Sequence, residues 1–157
     1  MRRKDREITD LSEIREILGE GKVLRLALSI CDRPYIVPLF YGFEEKDGNF
    51  VFYMHAAKEG KKLDYISSNS QGAIEIEKGF KIIKDGEGDC SYSALFSSVV
   101  GEGRIEILED EEEREKGINL MMKNLTGKDF ALTSALLKNT AVLKFTPLSL
   151  TAKARKV

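Results

Sequence analysis

The segment Phe50-Val51-Phe52-Tyr53-Met54-His55-Ala56-Ala57-Lys58-Glu59-Gly60-Lys61-Lys62-Leu63 gathers the residue types best suited to chemistry. His55 is the only histidine of the chain, and a histidine can hydrogen-bond a ligand or exchange a proton near neutral pH. Three lysines follow, at the point where a β-type run gives way to a helical one. A helix start presents unpaired N–H groups and partial positive charge, so with formal cations beside it it attracts anions. On a helix spanning Lys58 to Ser68, Lys58 and Lys62 would be i,i+4 neighbours able to reach one phosphate. Gly60 would let a backbone segment approach closely. The same lysines also fit a solvated surface, and a lone histidine at a strand end also fits a structural role. No GxxxxGK[ST] is present, which excludes a P-loop, and no GxGxxG segment is present to bind a nicotinamide nucleotide.

The elements that position this segment belong to a chain of ordinary globular composition, 42% apolar and 32% charged, read as a single domain over residues 1–157. With 25 basic and 26 acidic residues, the net charge of −1 argues against a nucleic-acid binder. No apolar run approaches the roughly 18 residues of a membrane span. The charged opening from Met1 to Asp10 has no hydrophobic stretch behind it, so it is not read as a secretory signal. Cys31 and Cys90 form no CxxC, and one histidine cannot complete a zinc set. Two free thiols in a cytoplasmic protein is the expectation.

Asp10 and Glu13 read as a capping pair that opens a helix with Leu11, Ile14, Ile17 and Leu18 at helical spacing, stopped by Gly19 and Gly21. Lys22 to Ser29 alternates, with Leu24, Leu26 and Leu28 on one face. Asp32-Arg33-Pro34 is expected to turn the chain into a second strand, Tyr35 to Phe43, interrupted by Pro38. A hairpin turn at Lys46-Asp47-Gly48-Asn49 leads to a strand from Phe50 to His55. Gly72 to Glu77 alternates again, Lys78 to Asp89 reads as a polar loop, and Ser91 to Leu108 as a long strand bent at Gly101 and Gly103. Asp110 and Glu113 open a second capped helix, on which Ile118, Met121, Met122 and Leu125 lie at core or interface spacing. A short helix over Phe130 to Leu137 and a last strand, Thr140 to Thr151, complete the expectation. Some six strands with few helices between them predict a mainly β fold: an antiparallel barrel with peripheral helices.

The run Tyr35-Ile36-Val37-Pro38-Leu39-Phe40-Tyr41-Gly42, the segment Phe52 to Leu63, the opening Met1 to Ile8, and Phe96-Ser97-Ser98-Val99-Val100-Gly101-Glu102-Gly103 together resemble the pyridoxamine 5′-phosphate oxidase-like FMN-binding proteins, in their nitroimidazole-resistance (Nim-like) branch. The likeness runs from residue 1 to about residue 151. It implies a six-stranded antiparallel split β-barrel that forms a homodimer, with FMN held at the subunit interface. Carried over by position, Val37, Pro38 and Leu39 would run along the flavin ring through backbone contacts. Lys58 and Lys62 would hold the phosphate. Ser98 would reach the cofactor from a neighbouring strand or from the partner subunit, and His55 matches a histidine tied to activity. Phe96 stands where the family usually has tyrosine and Ala56 where serine is common, so two hydroxyl contacts are missing. The resemblance implies a cytoplasmic oxidoreductase acting on a small electrophile such as a nitro-aromatic; the alternative is a module that binds flavin or haem without catalysis.

Overall fold

Leu24, Leu26 and Leu28 face inward from β2 (Val23–Ile30) and are almost wholly buried, as their alternation requires. Around them the chain orders β1 (Glu7–Ile8), α1 (Leu11–Glu20), β3 (Arg33–Lys46), β4 (Asn49–Ala57), α2 (Lys61–Ser68), β5 (Gln71–Lys84), β6 (Tyr92–Ile107), α3 (Glu111–Thr126) and β7 (Thr140–Arg155). This is a computed structural model, and it describes residues 3–88, 90–133, 135 and 137–156. The strands lie in the order β1-β7-β4-β3-β2-β5-β6, and a further β6–β7 pairing closes the sheet. All pairings are antiparallel. The result is a six-stranded barrel, β2 to β7, with the two-residue β1 attached to the outer end of β7.

The barrel interior is filled by Leu24, Leu26, Tyr41, Phe52, Met54, Ile74, Ile76, Val99, Ile105 and Phe145, each 1% exposed or less. A second cluster lies outside the barrel wall, where Ile118 and Met121 of α3 cover Tyr53, Leu108 and Val142. Both capped helices form as their sequences require. Asp10 accepts from the Glu13 N–H at 2.9 Å, and Asp110 from the Glu113 N–H at 2.8 Å. Ile14, Ile17 and Leu18 are the buried stripe of α1, while Leu11 remains exposed. Gly101 and Gly103 sit where the β6–β7 register shifts, with Glu102 opposite Ser149 but Gly103 opposite Pro147. A Cβ on Gly103 would lie 2.2 Å from the Thr146 carbonyl oxygen.

Four expectations are corrected. The turn after β2 is Cys31-Asp32, both at positive φ (46° and 62°), and Arg33 and Pro34 already belong to β3. Two positive-φ residues match the twist of a two-residue hairpin, and that turn tightens the register so that Ile30 faces Arg33. Lys78 to Lys84 is not loop: it extends β5 as a ribbon against β6, past a bulge between Lys78 and Lys81 where Gly79 takes a φ of 68°. Only residues 85–91 connect the two strands, with Asp89 outside the described residues. No helix forms over the described part of Phe130 to Leu137; Ser134 and Leu136 lie outside the described residues. The Asn119 side chain instead accepts from the Leu132 N–H at 3.1 Å and donates to its carbonyl at 3.4 Å, taking both groups a helix would use. Finally, α2 starts at Lys61 rather than Lys58.

Glu44 ties α3 to the barrel wall. Its carboxylate accepts from the Tyr53 hydroxyl at 2.7 Å and pairs with the Lys116 ammonium at 2.5 Å. Burial alone would raise its pKa, but these partners outweigh it and hold it below the usual 4.5. A carboxyl lowered on folding stabilises the protein above its unfolded pKa of 4.5, and that contribution is lost as pH falls through the folded value. Glu44→Gln is therefore expected to cost about 1–2 kcal/mol in urea unfolding at pH 7. The difference from the parent should shrink steadily as the titration goes below pH 4.5.

Candidate functional site

β3 and β4 pair from Lys46–Asn49 only as far as Tyr41–Met54. Beyond that pair β4 continues against β7 alone, with His55 opposite Val142 and Ala57 opposite Thr140. β3 continues against β2 alone, from Phe40–Val23 to Arg33–Ile30. The barrel is thus split, and one edge of β3 from Arg33 to Phe40 has no strand beside it. Pro38 lies on this stretch, where a residue without an N–H costs no ladder bond to β4.

The split opens a cleft of about 460 Å3 lined by Val23, Pro38, Leu39, Phe40, His55, Ala56, Ala57 and Lys62. The wall is mostly apolar, with a histidine and a cation in it, which is the usual make-up of a small-ligand site. Pro38 and Phe40 are exposed on the outer face of β3. Val37 packs its side chain against the core, and its pairing with Leu26 turns its backbone groups toward β2, so it does not line the cleft. Ala56 is 5% exposed, and no hydroxyl replaces its methyl there.

The lysines separate by role. The Lys61 ammonium lies 4.8 Å from the Tyr35 ring centre and 5.5 Å from that of Tyr65, whose rings are themselves 5.3 Å apart. Lys62 opens into the cleft. Lys58 precedes the helix, so it is not the i,i+4 neighbour of Lys62 along α2 that the spacing suggested. It lines an adjoining pocket with Leu63, Arg114 and Thr140. Among the described residues neither Lys58 nor Lys62 has a carboxylate partner, so both charges remain available. Gly60 caps α2 at a φ of 128°, a backbone conformation that L side chains rarely adopt.

Ser98 does not join this group within one chain. It is buried in β6 opposite Lys153, at the other end of β7 from the Thr140 that faces Ala57. It could meet a ligand of the cleft only across an interface between copies. Phe96 is packed under the Lys153 ammonium, 5.5 Å from its ring centre. Arg155 bonds Asp85 and Ser93, and Lys156 pairs with Glu13 at 2.7 Å, so these C-terminal cations are engaged within the fold.

One participant was not legible as such. Met121, on α3, has its thioether sulfur 3.1 Å from Nδ1 of His55. Helical spacing marks it as core, and nothing in the sequence connects it to a histidine so far away along the chain. Two glycines let α3 come this close. A Cβ on Gly42 would lie 2.2 Å from the Met121 nitrogen, and one on Gly117 would lie 2.7 Å from the Tyr53 ring. Gly42→Ala should push α3 off β3 and cost about 2 kcal/mol, as overpacking against backbone does. Urea denaturation monitored by circular dichroism checks this, and an unchanged midpoint would contradict the contact.

Comparison with known proteins agrees with this geometry. The family model described as pyridoxamine 5′-phosphate oxidase matches residues 10–154. A candidate 5-nitroimidazole antibiotic resistance protein from Bacteroides thetaiotaomicron is 26% identical, with a TM-score of 0.78 over 94% of this chain and 86% of that one. A FAD-binding protein from Mesorhizobium loti is 21% identical, with a TM-score of 0.67 over 96% of this chain and 98% of that one. A FAD and heme binding protein from Mycobacterium smegmatis is 15% identical, with a TM-score of 0.78 over 97% of this chain and 74% of that one. The last two likenesses are of fold alone. No curated protein sequence matches the chain. Among the described residues no helix is long and apolar enough to cross a membrane.

Proposed function

The chain belongs to the pyridoxamine 5′-phosphate oxidase family, and on that premise we propose that it is an FMN-binding oxidoreductase that reduces a small electrophile such as a nitro-aromatic. The observation that carries the reading is the unpaired edge of β3 facing His55 and Lys62 across one cleft. The residues present fit the cofactor. An isoalloxazine needs a flat apolar wall and backbone groups along one edge. The run Val37, Pro38 and Leu39 lies along the open edge of β3, where the Pro38 carbonyl and the flanking N–H groups of Ile36 and Phe40 point away from β2 and no strand occupies them. A phosphate needs cations without competing carboxylates, and Lys62 and Lys58 meet that condition; Lys61 lies instead over the rings of Tyr35 and Tyr65. Both lysines flank the start of α2, whose N–H groups add to the attraction.

FMN in this cleft would supply the redox chemistry, and the chain would supply binding, orientation and protons. Taking a nitro group to a nitroso group consumes two electrons and two protons and releases water; the electrons come from an external reductant. His55 stands in the cleft wall as proton donor or substrate contact. The reading includes a homodimer. Ile36 and Phe40 leave 64% and 50% of their surfaces exposed beside the cleft, and a second copy over this face would cover them. The setting proposed is the cytoplasm.

The visible spectrum of the purified protein tests the cofactor. Flavin bands released as FMN on denaturation are expected; a Soret band would favour the haem-binding module instead. A colourless protein that does not quench added FMN would sink both. Lys62→Ala should weaken FMN binding by about 1.5–3 kcal/mol, the worth of a charge-assisted bond to phosphate. Unchanged affinity would return Lys62 to the solvated surface. For catalysis, chemically reduced FMN-protein is mixed with a nitro compound, and His55→Ala is expected to slow its reduction. Equal rates in parent and variant would remove His55 from the mechanism.

A further inference from the structure

We propose that Met121 is a positioning residue that fixes the tautomer of His55, so that the imidazole meets the cleft as a hydrogen-bond acceptor. The inference rests on the placement of His55 in the wall of the cleft and deepens the reading of that site.

Nδ1 of His55 lies 3.1 Å from the Met121 sulfur. A thioether carries no hydrogen and can only accept. Two lone pairs held at that distance would repel, so Nδ1 must carry the proton and donate it. In the neutral ring the other nitrogen, Nε2, is then unprotonated. A thioether is a weak acceptor, so the contact has to be enforced by position, and the fold does so. Met121 is 5% exposed, and its own backbone nitrogen rests where a Cβ of Gly42 would be. The backbone of Met121 is therefore fixed against β3, and burial of its side chain confines the sulfur near the His55 ring. Among the described residues no other side chain bonds the His55 ring.

The chemical consequence concerns what His55 can recognise. Nε2 is the ring nitrogen left for the cleft that His55 lines. With its lone pair free it accepts from an N–H or O–H of a bound molecule. It donates only after taking up a proton, so a proton delivered from His55 to a substrate must first be collected at Nε2.

The chain has a single histidine, so selective 15N-histidine labelling reports one imidazole. Long-range proton–nitrogen correlation spectra of the full chain, free of FMN and at a pH where the ring is neutral, are expected to show Nδ1 pyrrole-like and Nε2 pyridine-like. In Met121→Leu, which keeps the volume and removes the sulfur, the Nδ1–H form should fall from the major to the minor species, and Nε2 should move to the pyrrole-like range. Met121→Ile gives the same readout if the leucine variant fails to fold. A parent with the Nε2–H form dominant overturns the proposal, and so does a folded variant with unchanged tautomer populations. A change of packing alone would shift the melting temperature without moving the tautomer. The measurement needs no cofactor, so a tautomer as proposed in a protein that binds no FMN would separate the failure of the flavin reading from that of this one.

Discussion

The parting of β3 and β4 after the Tyr41–Met54 pair is the constraint on which the site depends. A ladder that ends inside a protein leaves backbone polar groups without partners, and each is costly if nothing replaces them. Here α3 supplies the replacement at the fork: Asn124 donates its side-chain N–H to the Tyr41 carbonyl at 3.0 Å. The Tyr41 side chain is held from the other direction, its hydroxyl donating to the Leu18 carbonyl at 2.6 Å, and burial pushes the phenol well above its ordinary pKa so that it stays a donor. The fork is thus pinned by α1 inside the barrel and by α3 outside it. The cleft keeps its width because both strands at its root are fixed, and α2, which carries Lys62 into the cleft, is anchored to the core by the buried Ile66.

The helix that caps the fork also reaches the site's histidine, and these are one requirement. Gly42, the residue after Tyr41, has no Cβ, so the backbone of α3 rests directly on β3. That contact sets the depth of the helix. Depth in turn decides that Asn124 reaches Tyr41 and that Met121, about one helical turn earlier, reaches His55. Glu44, two residues on along the same strand, fixes the helix laterally through Lys116.

What could be read in advance divides along this line. Leu24, Leu26 and Leu28 announced an inward face, and Asp10 and Asp110 announced helix starts, because alternation and capping are local signals. His55 and Lys62 could be paired from the sequence because the chain turns from β4 straight into α2. Val23 and Phe40 could not be placed beside them, since that adjacency comes from the register of β2 with β3. The helix expected over Phe130 to Leu137 lost its backbone partners to Asn119, a competitor distant in sequence. The ribbon of Lys78 to Lys84 looked like loop because its lysines mask the alternation, and only its pairing with β6 makes it strand. Met121 had a correct local reading, core helix face, that said nothing about its second contact.

An unpaired strand edge with Ile36 and Phe40 exposed on the same strand is a hazard as well as a site, because it invites pairing with another chain. Two of the three prolines in the sequence, Pro34 and Pro38, fall within the open stretch and remove two of its donors. A foreign strand added along this edge would find an incomplete ladder, whereas a planar ligand that needs only a few backbone groups loses little. Pro38 therefore serves two ends with one property. It keeps the edge free of strands, and by keeping it free it leaves the outward N–H groups of Ile36 and Phe40 to whatever occupies the cleft. An ordinary residue at position 38 would restore the donor and make the edge a better template for another β-strand, which is how a proline within a barrel strand comes to be a condition for keeping the cleft open.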